Sequence, residues 1–152
     1  MPDPRSASQR KLDALALLRS KEQDGWVATG SSDGMAHLVP LSIAWDGECV
    51  LVATEPSAVT TKNIESNGRA RIALGATRDV LMIDAELEAA GRAVVVDDDQ
   101  IHCYIAQSGW DPRDAGVEFV MLRLRPTRIQ AWREVNEIAD RTLMRNGEWL
   151  VE

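Results

Sequence analysis

Apolar and polar positions alternate along most of this chain with the two-residue period of β-strands, and the period lengthens to that of a helix in three places. Residues 8–21 space Leu12, Leu15, Ala16 and Leu18 among Arg10, Lys11, Arg19 and Lys21, which predicts an amphipathic helix with Ser8 as its N-cap. Trp26-Val-Ala-Thr-Gly30 reads as a strand, and Ser32-Asp-Gly34 supplies a hairpin turn. From Ala36 to Trp45, His37, Val39, Leu41, Ile43 and Trp45 fall on one face, while Ala36, Leu38, Pro40, Ser42 and Ala44 fall on the other. Pro40 has no N–H to give a neighbour, so its strand belongs at an edge or a bulge. Asp46-Gly47 turns the chain into Cys49-Val-Leu-Val-Ala-Thr54, and residues 26–54 together predict a three-stranded meander.

A short helix follows over Pro56 to Asn67, then strands over Arg69 to Gly75 and Val80 to Glu88, the latter running on through Arg92 to Val96. Asp97, Asp98 and Asp99 suit the first turn of another helix, where carboxylates meet the positive dipole end, and Ser108-Gly109 suits its exit. Alternation returns from Gly116 to Arg125, is broken by Pro126 and resumes over Thr127 to Arg133; residues 135–152 carry no decisive pattern. The sum is a mainly β chain with helices (α+β): six or seven strands in mostly sequential order, with no repeated strand-helix-strand unit. An antiparallel barrel decorated by helices is the expected architecture.

Composition narrows the function. With 152 residues, 45% hydrophobic and 27% charged, the chain suits a single domain of residues 1–152: a helical arm (1–24), a barrel (25–133) and a tail (134–152). A net charge of −7 argues against nonspecific nucleic-acid binding, so any anion site must be local. No apolar run reaches membrane-spanning length and Met1-Pro-Asp-Pro-Arg5 lacks the features of a signal peptide, which predicts a cytoplasmic protein. Cys49 and Cys103 lie far apart and read as buried free thiols, and with only His37 and His102 beside them no zinc-site spacing exists.

The stretch that carries chemistry is Thr54-Glu-Pro-Ser57-Ala-Val-Thr60-Thr61-Lys62-Asn63, where a strand gives way to a helix amid hydroxyls and one lysine. A phosphate dianion asks for this set: free N–H groups at a helix start, short hydroxyl donors and an ammonium. Capping hydroxyls beside a solvated lysine would look the same. Without a Gly-rich loop, a nucleotide-binding P-loop is excluded. The face of Leu38, Pro40, Ser42 and Ala44 is small enough for a flat ring, or for a neighbouring helix or subunit. Arg69 and Arg71 share a strand face and could extend an anion site, and Trp110 and Trp132 could cover a ring or pack a core or interface. Tyr104 and His37 are the side chains with useful proton chemistry.

The order of these features, from Trp-Val-Ala-Thr through Val-Pro-Leu-Ser and a strand ending Ala-Thr to hydroxyls with Lys-Asn, resembles the flavin-binding split barrels related to pyridoxamine-phosphate oxidase. The resemblance covers most of residues 25–133, closing on Arg125-Pro-Thr-Arg-Ile-Gln-Ala-Trp132-Arg133. It implies that Lys62, with Thr54, Ser57, Thr60 and Thr61, holds the phosphate of FMN, and that the backbone of Val39, Pro40, Leu41 and Ser42 lies beside the ring. The deazaflavin coenzyme F-420 is the alternative cofactor, its acidic tail suiting Arg69, Arg71 and Arg78; haem, bound by some relatives, is a third. The resemblance further implies a homodimer whose interface holds the cofactor, with Trp132 or Arg133 serving the partner's site. The expected activity is hydride or electron transfer to a small-molecule acceptor, and noncatalytic cofactor binding or storage is the rival. True pyridoxamine-phosphate oxidases end in an arginine-and-histidine segment; this chain has no histidine after His102, which argues against a vitamin B6 phosphate as substrate.

Overall fold

The computed structural model describes residues 1–93 and 96–152, together with the backbone but not the side chain of Arg92. The expected run of strand through Val94 and Val95 falls outside the described residues. Helix α1 (Ala7–Arg19) starts two residues before the expected cap, because Ser6 and not Ser8 accepts the amide of Gln9, at 3.1 Å. Its Arg10, Ala14 and Leu18 recur every four residues and are buried, whereas Leu12 faces solvent.

Strands β1 (Asp24–Gly30), β2 (Ala36–Ser42), β3 (Ala44–Trp45) and β4 (Val50–Thr54) precede helix α2 (Val59–Asn67). After it come β5 (Arg69–Ala76), β6 (Asp79–Arg92), helix α3 (Asp98–Ser108), β7 (Val120–Trp132), β8 (Thr142–Arg145) and β9 (Glu148–Trp149). Among the described residues the strand pairs are all antiparallel, and one sheet runs in the order β2-β1-β5-β6-β7-β4-β3, with β8 attached to β7 and β9 to β8. This is the expected split barrel, its strand number raised to nine among the described residues by the short β3, β8 and β9.

The expected three-stranded meander is replaced by two hairpins. Among the described residues β2 pairs only β1, at one end of the sheet, while β3 pairs β4 at the other, and Ile43 alone separates β2 from β3. The sheet therefore curls until its two ends meet at Ile43, whose amide donates to the Gln23 carbonyl at 2.9 Å. Away from Ile43 the ends diverge, and that divergence is the split. The alternation from Ala36 to Trp45 hides the corner because the faces keep their parity through it.

β4 is buried along its whole length. Val50 and Val52 enter the barrel core with Leu122 and Leu124, while Leu51 and Ala53 meet Ile101 and Tyr104 of α3 on the outside. A strand covered on both faces reads as a continuous apolar run, which explains Cys49–Thr54. Pro126, expected to break a strand, instead sits within β7: it pairs Ala85, the next pair is Asp84 with Arg128, and Thr127 is the extra residue of a bulge.

The turn from β5 to β6 depends on Gly75, whose φ is +82° and where a Cβ would collide with the carbonyl oxygen of Asp79. Gly75→Ala is expected to cost about 2–3 kcal/mol from this strain. Urea unfolding would register it as a lowered midpoint with unchanged slope. Among the described residues no helix is long and apolar enough to cross a membrane.

Candidate functional site

The split holds a cavity of about 220 Å³. One wall is β2, through His37, Val39 and Leu41; the other is Ala53 and Thr54 of β4, continued by Glu55, Ala58 and Thr60 at the start of α2, with Phe119 beside them. Among the described residues, both strand edges facing this gap lack a strand partner. β3 is two residues long, so β4 beyond Leu51 is unpaired on that side. On β2, the bond from the Ile43 amide to Gln23 continues the β1 ladder through the odd-numbered residues, which leaves the backbone groups of Leu38, Pro40 and Ser42 directed at the free edge. Pro40 costs nothing at such a position, since its missing N–H would have pointed into the gap.

The start of α2 differs from those of the other two helices. Ser6 caps α1 and Asp97 caps α3, its Oδ1 accepting from the Asp99 amide at 2.9 Å, but Ala58 gives α2 no side-chain cap. The first intrahelical bond is from the Lys62 amide to the Ala58 carbonyl, 3.0 Å, so the amides of Val59, Thr60 and Thr61 precede the helix ladder. An uncapped helix start beside a cavity presents N–H groups to an anion.

The hydroxyls predicted there divide into two kinds. Thr61 donates to the Glu55 carbonyl at 2.6 Å and therefore accepts from Thr54, also at 2.6 Å. Both are buried, and the pair locks the end of β4 to α2. Asn63 reinforces this by donating to Thr29 on β1 at 3.1 Å. Thr60, 2% exposed, lines the cavity and has no side-chain hydrogen bond among the described residues. Ser57 and Lys62 are exposed and do not line the cavity, and Lys62 has no ion-pair partner among the described residues.

Arg69 and Arg71 lie elsewhere. They share the outer face of the sheet and line a larger cleft, about 800 Å³, with Asn67, Asp84 and Glu86. The two linings adjoin at one point, where Thr29 of the cleft pairs His37 of the cavity across β1 and β2. Arg71 forks onto Asp84, which raises the guanidinium pKa and spends its charge; Arg69 makes no such pair among the described residues. Trp132 is more distant: Val120 pairs Thr54, and Trp132 stands twelve positions further along β7, a contour of roughly 40 Å. Arg141 stacks over its ring at 5.8 Å.

Of the ring-covering candidates, Trp110 packs edge-on between Tyr104 and Phe119. Tyr104 is buried, and burial pushes its phenol up to about 12, outside useful proton chemistry. His37 is half-buried on the cavity wall. The small face that suited a flat ring points outward, with Leu38 59% and Trp26 54% exposed, whereas the cavity is lined by the opposite face of β2. Ala53, Ala58 and Phe119 complete the cavity and carry no chemical signal in the sequence; the absence of a capping residue at position 58 was the sign available. Both thiols are free; Cys49 is buried and donates to Glu88 at 3.0 Å, and burial pushes it up to about 12, so it is inert. Among the described residues no cluster of His, Cys, Asp and Glu could hold a metal ion.

Comparison with known proteins agrees with this geometry. No curated protein matches the chain. Among solved structures, an F-420 reductase superposes with a TM-score of 0.60 at 19% identity, covering 75% of this chain and 94% of its own. A Listeria innocua protein described as a candidate pyridoxamine 5'-phosphate oxidase gives 0.59 at 17%, covering 86% and 99%. A haem-binding protein from Mycobacterium smegmatis gives 0.63 at 16%, covering 88% and 57%. At these identities the likeness is one of fold. The family model for pyridoxamine 5'-phosphate oxidase matches residues 12–133, most of the sequence and all of the split, and the chain therefore belongs to that family.

Proposed function

We propose that this protein binds a phosphorylated flavin, FMN or alternatively the deazaflavin coenzyme F-420, in the split and transfers hydride or electrons to a small-molecule acceptor, as a cytoplasmic homodimer. The observation that carries the reading is the uncapped start of α2 opening onto a cavity whose other wall is a free strand edge. The residues fit such a group. Val39, Leu41 and Phe119 offer apolar contact to a ring, the edge of β2 offers hydrogen bonds to its rim, and the amides of residues 59–61 with Thr60 meet a phosphate. Lys62, in the first turn of α2, would add its charge to the phosphate site. The bound ring would supply the redox chemistry, while the chain's own groups bind, orient and exclude water.

A cavity of about 220 Å³ is smaller than the roughly 300–1,000 Å³ usual for such ligands, so one chain supplies only part of the site. A second copy docked over the free edge of β2 and its outward face of Trp26, Leu38 and Pro40 would complete it, and would bring its own Trp132 or Arg133 to the site. A noncatalytic haem or flavin binder is the second reading; His37 on the cavity wall, able to offer a ring nitrogen, is the observation in its favour.

Absorption titrations with FMN, F-420 and haem decide among these. Saturable flavin or deazaflavin binding, followed by reduction with NAD(P)H or a deazaflavin donor and reoxidation by an acceptor, establishes the oxidoreductase. A Soret band with haem favours the second reading, and no binding to any of the three sinks both. Lys62→Ala is expected to weaken FMN about tenfold and leave riboflavin unchanged, since only FMN carries the dianion. Equal effects on the two would return Lys62 to an ordinary surface charge.

A further inference from the structure

A second cleft, of about 520 Å³ and sharing no residue with the split, opens between the start of α1 and the chain after β7. Arg10 lines it. Its side chain is 3% exposed, yet it meets no carboxylate: Nη1 donates to the carbonyls of Asp140 (2.8 Å) and Ala131 (3.2 Å), and Nε is buried without any partner. Carbonyls orient a guanidinium but leave its charge standing, and a guanidinium cannot shed its proton to escape the cost of burial.

The neighbouring charges do not neutralise it. Glu137 is committed to Arg5, whose Nη2 lies 2.8 Å from Oε2, and Arg5 is held as well by Asp13 and Asp79. With that pair cancelled, the cleft sets Arg10 and Arg145 against Asp140 alone, and Arg145 has no ion-pair partner among the described residues. Ser6 and Ala7 bring the positive end of a thirteen-residue helix to the same cleft. The opposite side of Arg10 faces a different cleft, of about 420 Å³, but Asp13 and Asp79 line that one and balance Arg5 and Arg10. Of these two clefts, the first therefore carries an excess of positive charge and the other is balanced.

We propose that this cleft binds a small phosphorylated molecule, its phosphoryl oxygens pairing with Arg10 from inside and Arg145 at the mouth. Arg10 keeps at Nε a hydrogen that no group among the described residues accepts. The cleft volume leaves room for the rest of a phosphate monoester.

Inorganic phosphate titrated into the full chain tests this, read by the Nε–H resonance of Arg10 in arginine-selective NMR. The expected result is a saturable shift, weakened about tenfold by Arg145→Ala and unaltered by Ala58→Asp, which lies in the split. A resonance that does not move, or equal affinity in Arg145→Ala, overturns the proposal. Arg10→Met provides a second reading through thermal stability. Loss of stabilisation by phosphate in the folded variant supports the site, and stabilisation equal to wild type overturns it. Should that variant fail to fold, the Arg145→Ala titration decides.

Discussion

Ala58→Asp is expected to raise the melting temperature while abolishing binding of phosphorylated flavin. An aspartate at position 58 supplies the cap that α2 lacks, accepting from the amides at the helix start, and such caps add about 1 kcal/mol over alanine. For a chain of this size that is a rise of roughly 2–4 °C. The same carboxylate occupies the N–H groups that the phosphate needs and sets a negative charge on the cavity wall, where Ala58 stands. Lost charge-assisted hydrogen bonds and like-charge repulsion together predict at least a 100-fold fall in affinity, about 2.7 kcal/mol or more. A thermal melt and an FMN titration on one preparation read both effects. A stabilised variant that binds FMN as tightly as wild type would exclude the start of α2 as the phosphate site.

Glu137→Ala is expected to be the most destabilising single change among those considered. Its carboxylate is 3% exposed and accepts four hydrogen bonds: from the Arg5 amide (2.8 Å), Nε (3.1 Å) and Nη2 (2.8 Å), and from the Arg133 amide (2.7 Å). It thereby ties the residues before α1 to the end of β7. Truncation leaves two amides unpaired and Arg5 dependent on the more exposed Asp13 and Asp79, a loss of about 3–5 kcal/mol. The melting temperature should fall by roughly 10 °C.

The hydrogen bonds from Arg5 hold the Glu137 carboxyl at about 2, well below an ordinary glutamate. A depressed folded-state pKa means that the unfolded chain takes up the proton first. This share of the stability is complete above about pH 4.5 and drains away as the pH falls towards 2. Acid unfolding of Glu137→Ala should therefore be shallower over that window than that of wild type. Parallel acid-denaturation curves would refute the assignment.

Local pattern revealed most of the elements, because alternation and turn residues act over a few positions. The strands from Trp26 to Val52 and the caps of α3 are of this kind. What stayed hidden depends on partners remote in sequence. The corner at Ile43 leaves no trace in the alternation, since a strand that changes partners keeps its faces. The bulge at Thr127 reads as a break because proline is the visible residue, while the β6 strand that absorbs it lies some forty positions upstream. At the split, the hydroxyls and Lys62 were legible as an anion-binding vocabulary, but Thr54 and Thr61 are occupied with each other. The more telling residue, Ala58, is informative only for what it lacks. Glu137 carried no signal, because its value comes from Arg5 at the far end of the chain.

Ile43 also bears on how the molecule assembles. The first and last members of the curled sheet are covalent neighbours through one residue, so the seam of the barrel is tethered before folding begins. Bringing two ends of a sheet together normally carries an entropic cost that grows with the chain between them. Here the span is at its minimum, and the long-distance searches are left to β4 finding β7 and β1 finding β5. The rim where a ligand would enter is thus anchored by the most local connection in the barrel, and it can part slightly at its far end without any strand losing its partner.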